Sequence, residues 1–309
     1  MAQTAAASTA QQGRALHQEV RDLAELSRRD VIYNFAYLVA TWAVIAGAIT
    51  LVKLHLTWVT IAIAVVVVAA RQQALLNLEH ECVHSHLLRT RRANERLGVL
   101  CASVVGSPFY AARARHLAHH RLLATDQDPD AELHRGPDKS TRAGLMRHFA
   151  LGLLGGYAVM VLVSGSRTTV DAPTRGRDRR NLVMWQLALV AALWGTVGWW
   201  AYPALWLAPL LTLTAGCHLL RNFCEHAILT EEEGGHANRL ISIRSNVVER
   251  FLVAPFFMNY HAEHHLFPGV PAQHLPEVQR RLSTTSRAPQ RLLRGSYVGA
   301  LARHVSALG

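Results

Sequence analysis

Val31–Val52 reads VIYNFAYLVATWAVIAGAITLV, 22 residues without a formal charge, and its reading decides the fold. An α-helix rises about 1.5 Å per residue, so a run of this length crosses a hydrocarbon core of about 30 Å. Leu54–Ala70 is a second apolar run whose helical pattern continues through Arg71 to Leu78, and the short link around Lys53 joins the two as a hairpin. Asn181–Leu220 is uncharged for 40 residues, too long for one span, and Tyr202-Pro203 near its midpoint predicts a turn and a second hairpin. The sequence therefore predicts an all-α fold, a polytopic membrane protein with four transmembrane helices in two hairpins. Two shorter runs read as interfacial or re-entrant helices. They are Leu97–Ala112, interrupted by Gly106 and Pro108, and Phe149–Ser166, which holds Gly152, Gly155, Gly156 and Gly165 between arginine-rich flanks.

Half of the chain is hydrophobic, yet its formal net charge is +11. The arginines fall between the apolar runs, the pattern of a membrane protein with basic cytoplasmic segments. A nucleic-acid binder would need that charge on a soluble face with few apolar runs, so that class is set aside. The two short turns together carry only Lys53, whereas the N-terminus, the loop Arg71–Arg180 and the region after Arg221 hold the remaining basic residues. By the positive-inside rule, both termini and the long loop are expected on the cytoplasmic side of a bacterial plasma membrane. The N-terminal segment lacks the apolar core of a signal peptide and reads as a disordered start followed by an amphipathic helix over Gly13–Leu26. The expected organisation is a flexible or amphipathic segment over 1–30, a membrane domain over 31–279 and a basic tail over 280–309. Cys82, Cys101, Cys217 and Cys224 show no CxxC pairing, which suggests buried thiols and neither a disulfide framework nor a zinc ribbon.

The histidines are the anomaly. His80-Glu-Cys-Val-His84 stands at the end of the second run, His116-Leu-Ala-His119-His120 in the long loop and His261-Ala-Glu-His264-His265 after the last run. Helix positions three and four apart share a face, so each box aims its imidazoles in one direction. Eight imidazoles are too many for one ion, and two ions are the natural count. Imidazole suits zinc, copper, iron and nickel, whereas closed structural zinc sites usually include thiolates, and no cysteine is placed to contribute. Redox iron is therefore preferred. Asn222-Phe-Cys-Glu-His226 repeats the i, i+4 spacing, so His226 offers a ninth imidazole and Asn222 a ligand, direct or through water. Glu81, Glu225 and Glu263 stand within or beside the boxes, where they can accept the second imidazole N–H and fix its tautomer. Asp126, Asp128 and Asp130 can do the same or remain solvated carboxylates. His86 falls on another helical face and reads as a surface or supporting group. His218, inside the fourth span, is either functional or a hydrogen-bonding group of the bundle. Arg113, Arg115 and Arg121 around the second box suit a phosphate-bearing group or anionic lipid.

The ordered pattern HxxxH, HxxHH, HxxHH with paired spans between resembles the membrane fatty acid desaturase family. His116–Asp130, HLAHHRLLATDQDPD, is similar to that family's second box with its trailing aspartates, and Tyr260–Pro271, YHAEHHLFPGVP, to its third. The resemblance runs from about Val31 to Gln279. It implies a cytoplasmic di-iron cap ligated by His80, His84, His116, His119, His120, His226, His261, His264 and His265, with Asn222 matching the family's asparagine where an NxxxH element is present. It also implies O2 as co-substrate, a fatty-acyl chain carried by CoA, acyl carrier protein or a lipid, and entry of that chain from the bilayer. The third box opens with His261, not the glutamine of front-end desaturases, and neither tail carries a haem-binding motif. Both departures point to a separate ferredoxin- or rubredoxin-like electron donor. The expected reaction is introduction of a double bond. A hydroxylase, ketolase or acetylenase acting on a lipid or specialised-metabolite chain is the alternative on the same scaffold. A membrane metal transporter is the reading from another class, and it is disfavoured because transport sites sit near the bilayer midplane, not beyond the span ends.

Overall fold

The computed structural model describes residues 23–123, 125, 127–131, 141–156, 159, 170–227, 240–284 and 293–308. Of the expected N-terminal amphipathic helix only Leu23–Leu26 falls among them, and it is helical. The chain forms two compact units, each assembled from separate segments. One, here the span unit, comprises Asp30–Ala114 and Ala150–His218; the other, the histidine unit, comprises Met1–Arg29, Arg115–Phe149 and Leu219–Gly309.

Helices α1 (Val31–Leu54) and α2 (Trp58–Val83) form the first hairpin of the span unit. Asp30 caps α1 through Tyr33 N, and Thr57 caps α2 in a reciprocal capping box with Thr60, so residues 55–57 make a short, well-defined turn. The two helices differ in surroundings: 22% of the apolar window of α1 is buried inside the protein against 50% for α2. α1 therefore turns Phe35, Val39 and Val44 outward, an apolar face that water disfavours. α3 (Arg91–Val104) and α4 (Phe109–Leu122) follow as a pair bent by 104°, with Gly106 at φ +77° in the break. α5 (Arg142–Leu153) covers the start of the second interfacial run, of which residues 157–158 and 160–166 lie outside the described residues.

α6 (Ala172–Thr196) and α7 (Pro203–His226) form the second hairpin. Its turn is not at Tyr202-Pro203. The chain breaks at Val197–Trp200, where Gly198 has φ +142°, and Pro203 lies in the first turn of α7. A proline lacks only an N–H that a first helical turn leaves unbonded, so it opens a helix as readily as it ends one. Among the described residues three helices, α1, α2 and α7, are long and apolar enough to cross a membrane, or four if the bent α3–α4 pair is one span. α6 does not pass, because its first half carries Arg175, Arg177, Asp178, Arg179 and Arg180.

Hydrogen bonds between helices join the span unit where hydrophobic pressure is weak. Gln72 Nε2 donates to Trp206 O at 2.8 Å and Thr214 Oγ1 to Gln72 Oε1 at 2.8 Å. Trp206 Nε1 donates to Val104 O at 2.8 Å, and Gln186 Nε2 to Ser103 O at 2.7 Å. Asp178 accepts from Tyr110 N and Ala111 N, both at 3.1 Å, and so caps the start of α4.

The histidine unit takes the second half of α4 and adds β1 (Ser242–Ile243), α8 (Val247–Leu252), α9 (His261–Leu266), α10 (Leu275–Ser283), β2 (Leu293–Arg294) and α11 (Tyr297–Ala307). Its strands among the described residues are one parallel pair, Ser242 against Leu293 and Ile243 against Arg294. Phe223, Ile241, Ile243, Phe267 and Tyr297 are buried in its interior, and Leu123, Leu240 and Ala262 form a smaller cluster.

Candidate metal centre

Box one lies in the span unit. α2 ends at Val83, and His80 and His84, one turn apart, hold their rings 5.0 Å apart. Glu81, wholly buried, lies between two imidazoles: Oε1 is 3.5 Å from His80 Nδ1 and Oε2 is 3.4 Å from His86 Nδ1. His86 is buried, which corrects its reading as a surface residue. Ser85 takes φ +62° and reverses the chain, so His86 returns toward Glu81 when an uninterrupted helix would carry it away.

Boxes two and three lie in the histidine unit, on α4 and α9. Here seven imidazoles gather in two groups. His116, His120 and His264 bring ligand nitrogens within 4.8 Å of one another, and so do His119, His226 and His265. In the first group His120 Nε2 lies 2.9 Å from His116 Nε2 and 3.0 Å from His264 Nε2. His261 joins the second through His226, Nε2 to Nε2 at 2.6 Å. The groups adjoin, since the His120 and His265 rings stack at 4.3 Å.

The local backbone explains the convergence. Residues 116 and 120 share a face of α4, and His119 turns toward the neighbouring group. His226 falls in a π-helical turn, Phe223–Ala227, which widens the helix and shifts its phase against Asn222, the last residue of the preceding α-helical stretch. Such turns favour functional sites. Asn222 itself is half-buried.

Carboxylates back the imidazoles. His119 Nδ1 lies 2.9 Å from Asp128 Oδ1 and 3.8 Å from Asp130 Oδ2, and Arg115 Nε donates to Asp130 Oδ1 at 2.5 Å. Glu225 Oε2 lies 3.4 Å from His261 Nδ1. Glu263 bonds Ser242 Oγ, and burial pushes its carboxyl up to about 7 against that hydrogen bond. Asp126 lies outside the described residues. Sequence spacing could not reveal Ser242, which reaches the site through β1, or Tyr297, which bonds Glu225 from the last helix.

The residues fit a metal ion. His265 Nε2 is buried with no hydrogen-bond partner among the described residues. Burial and the neighbouring rings of His120, His261, His119 and His226 hold its pKa well below the usual histidine range, so it stays neutral and keeps a lone pair to donate. Imidazole nitrogens facing one another at 2.6–3.0 Å share at most one proton per contact, and a cation between them uses the lone pairs that remain.

Apolar helices and clustered imidazoles with carboxylate backing point to a membrane-associated protein whose histidines could hold a metal ion. The fatty acid desaturase profile matches residues 56–294, and the chain belongs to that family. It is 24% identical over 275 residues to dihydrorhizobitoxine desaturase of Bradyrhizobium elkanii, an alignment covering 84% of this chain and 78% of that protein. It is 28% identical over 233 residues to beta-carotene ketolase of Paracoccus sp. (strain N81106 / MBIC 01143), covering 75% and 79%. The chain is an oxidoreductase of this family.

Proposed function

We propose that the protein is an O2-dependent desaturase of a fatty-acyl chain, working through a histidine-ligated di-iron centre. The ligands are His80, His84, His116, His119, His120, His226, His261, His264 and His265, with Asn222 bound directly or through water. The observation that carries this reading is the pair of three-imidazole groups in the histidine unit, two donor sets for two ions. The HxxxH pair of box one supports it by placing His80 and His84 one turn apart with Glu81 behind them.

Two adjacent irons, supplied with O2 and two electrons, provide an oxidant strong enough for an unactivated methylene C–H bond. The protein's own part is positional. Asp128 lies within hydrogen-bond distance of His119 Nδ1, and Glu225 and Glu81 face His261 Nδ1 and His80 Nδ1 at 3.4 and 3.5 Å, so each carboxylate favours the Nδ1–H tautomer that would leave Nε2 for a metal. Arg115 holds Asp130 beside His119. The apolar helices sequester an alkyl chain from water on its way from the bilayer, and an external ferredoxin- or rubredoxin-like protein supplies the electrons. α6 completes four spans with α1, α2 and α7 by crossing from Asn181 onward, which leaves both termini and the histidines cytoplasmic in a bacterial plasma membrane.

Removal of two vicinal hydrogens yields an alkene, with O2, two electrons and two protons leaving as two waters. Replacement of one C–H by C–OH on the same scaffold is the second reading, favoured by the likeness to a beta-carotene ketolase. Aerobic expression with mass spectrometry of lipids and small metabolites against an empty vector separates the two. Desaturation gives products lighter by two hydrogens, hydroxylation gives products heavier by one oxygen, ketone formation gives products that gain one oxygen and lose two hydrogens, and no O2-dependent product at all contradicts both.

A further inference from the structure

The last helix of the chain reaches the metal centre through a buried polar chain that begins outside the family's matched residues 56–294. Tyr297, at the start of α11, is fully buried, and its hydroxyl donates to Glu225 Oε1 at 2.5 Å. The Arg221 guanidinium donates to the same carboxylate, Nε to Oε1 at 3.2 Å and Nη2 to Oε2 at 3.4 Å. Oε2 in turn faces His261 Nδ1 at 3.4 Å, and His261 Nε2 faces His226 Nε2 at 2.6 Å.

A local cap and two contacts with other elements fix α11 in this place. Ser296 caps it through Gly299 N at 3.0 Å, Val298 N donates to Glu249 Oε1 at 3.1 Å, and Cys224 Sγ donates to Tyr297 O at 3.8 Å. The phenol is thus delivered by a secured helix end, not by a loose side chain.

The division of labour on Glu225 is chemical. A guanidinium prefers to grip both oxygens of a carboxylate in parallel, which would draw Oε2 away from an imidazole. The short bond from Tyr297 shares Oε1 with Arg221, while the Arg221 contact on Oε2 stays long at 3.4 Å, so that Oε2 still faces His261 Nδ1 at 3.4 Å. A carboxylate held in this way fixes the proton of His261 on Nδ1 and the lone pair on Nε2.

We propose that Tyr297 is a positioning residue of the metal centre, setting the ring angle and tautomer of His261 through Glu225. The proposal rests on the reading of these histidines as iron ligands given above.

The test uses iron-loaded full-length protein, with two readouts besides turnover: the rate of iron loss to a ferrous chelator and the 57Fe Mössbauer spectrum. Loss of an outer partner of a metal ligand costs about 10–100-fold in metal affinity. Tyr297→Phe leaves Arg221 in place, so iron loss about tenfold faster is expected, at the low end of that range, with a shifted quadrupole splitting. Glu225→Gln is expected to move both readouts the same way and at least as far. Adding Tyr297→Phe to Glu225→Gln should change nothing more, since two residues acting along one chain are not additive.

Wild-type iron retention and spectrum in Tyr297→Phe would overturn the proposal, as would full additivity in the double variant. Failure of Tyr297→Phe to fold while Glu225→Gln folds also overturns it, because a phenol that acts through Glu225 cannot matter more than Glu225. Joint failure to fold does the same by assigning the network to the fold. A wild-type protein that binds no iron defeats the proposed function itself, whereas two irons with an indifferent Tyr297→Phe defeats only this inference.

Discussion

At the scale of residues, the imidazoles carry the account and offer its sharpest variants. His120 stands between His116 and His264 and stacks on His265, so His120→Ala removes a nitrogen at the junction of both groups. Product formation is expected to fall by at least about 100-fold, the upper end of what even an outer partner costs, with membrane insertion unchanged in a fractionation assay. His264→Ala should behave alike, and full activity in either variant would contradict the ligand set. Asp128→Asn keeps the shape beside His119 and removes the charge that orients its ring, so a loss of about 10–100-fold in iron affinity is expected by chelator competition. The clustering of the histidines proposed as ligands was legible in the sequence because spacings of three and four fix a shared helical face. Their supports were not all legible. Tyr297 lies far from every box in sequence, and His86 is turned inward by a left-handed Ser85 that no residue pattern announces. The π turn that carries His226 was hidden too, since Asn222-Phe-Cys-Glu-His226 reads as ordinary α-helical spacing.

At the scale of elements, the apolar runs gave α1 and α2 nearly to their ends, because length and lack of charge are all that a spanning helix requires. The second hairpin was harder. A proline marked the turn wrongly, and the helix before it begins with charged residues that have structural work at Asp178. Asp178→Asn weakens the cap on α4, the helix that carries box two, and should cost about 1 kcal/mol of thermal stability in detergent. Gly98 in α3 packs where any Cβ would meet the Phe109 ring and Cys82 Cβ. Gly98→Ala overpacks that contact and is expected to destabilise by about 1–3 kcal/mol, read as a lowered unfolding temperature; no change would mean that α3 and α4 part easily. On α10, hydrogen bonds from Arg280 and Arg281 hold the Glu277 carboxyl down at about 2. A depressed carboxyl contributes its full stabilisation above its unfolded value, about 4.3, and loses it progressively as pH falls from there through about 2. Acidification from pH 7 to 5 should therefore leave α10 intact by hydrogen exchange.

At the scale of the whole molecule, composition announced a membrane protein, since half the residues are hydrophobic and the surplus of positive charge is segregated from them. The proposed topology rests on that segregation. Reporter fusions at either terminus are expected to report the cytoplasm and one at Leu56 the opposite side, whereas reporters on the same side at all three points would contradict the positive-inside reading. The choice between desaturation and oxygenation was not legible, because it depends on where one C–H bond rests relative to the metal, and neither spacing nor charge encodes that. The central claim, a di-iron centre built from these histidines, is tested most directly by metal analysis of the purified full-length protein beside its His120→Ala variant. Two irons per chain in the first and a clear loss in the second are predicted. A protein that binds no iron, or holds it equally well without His120, would contradict the account.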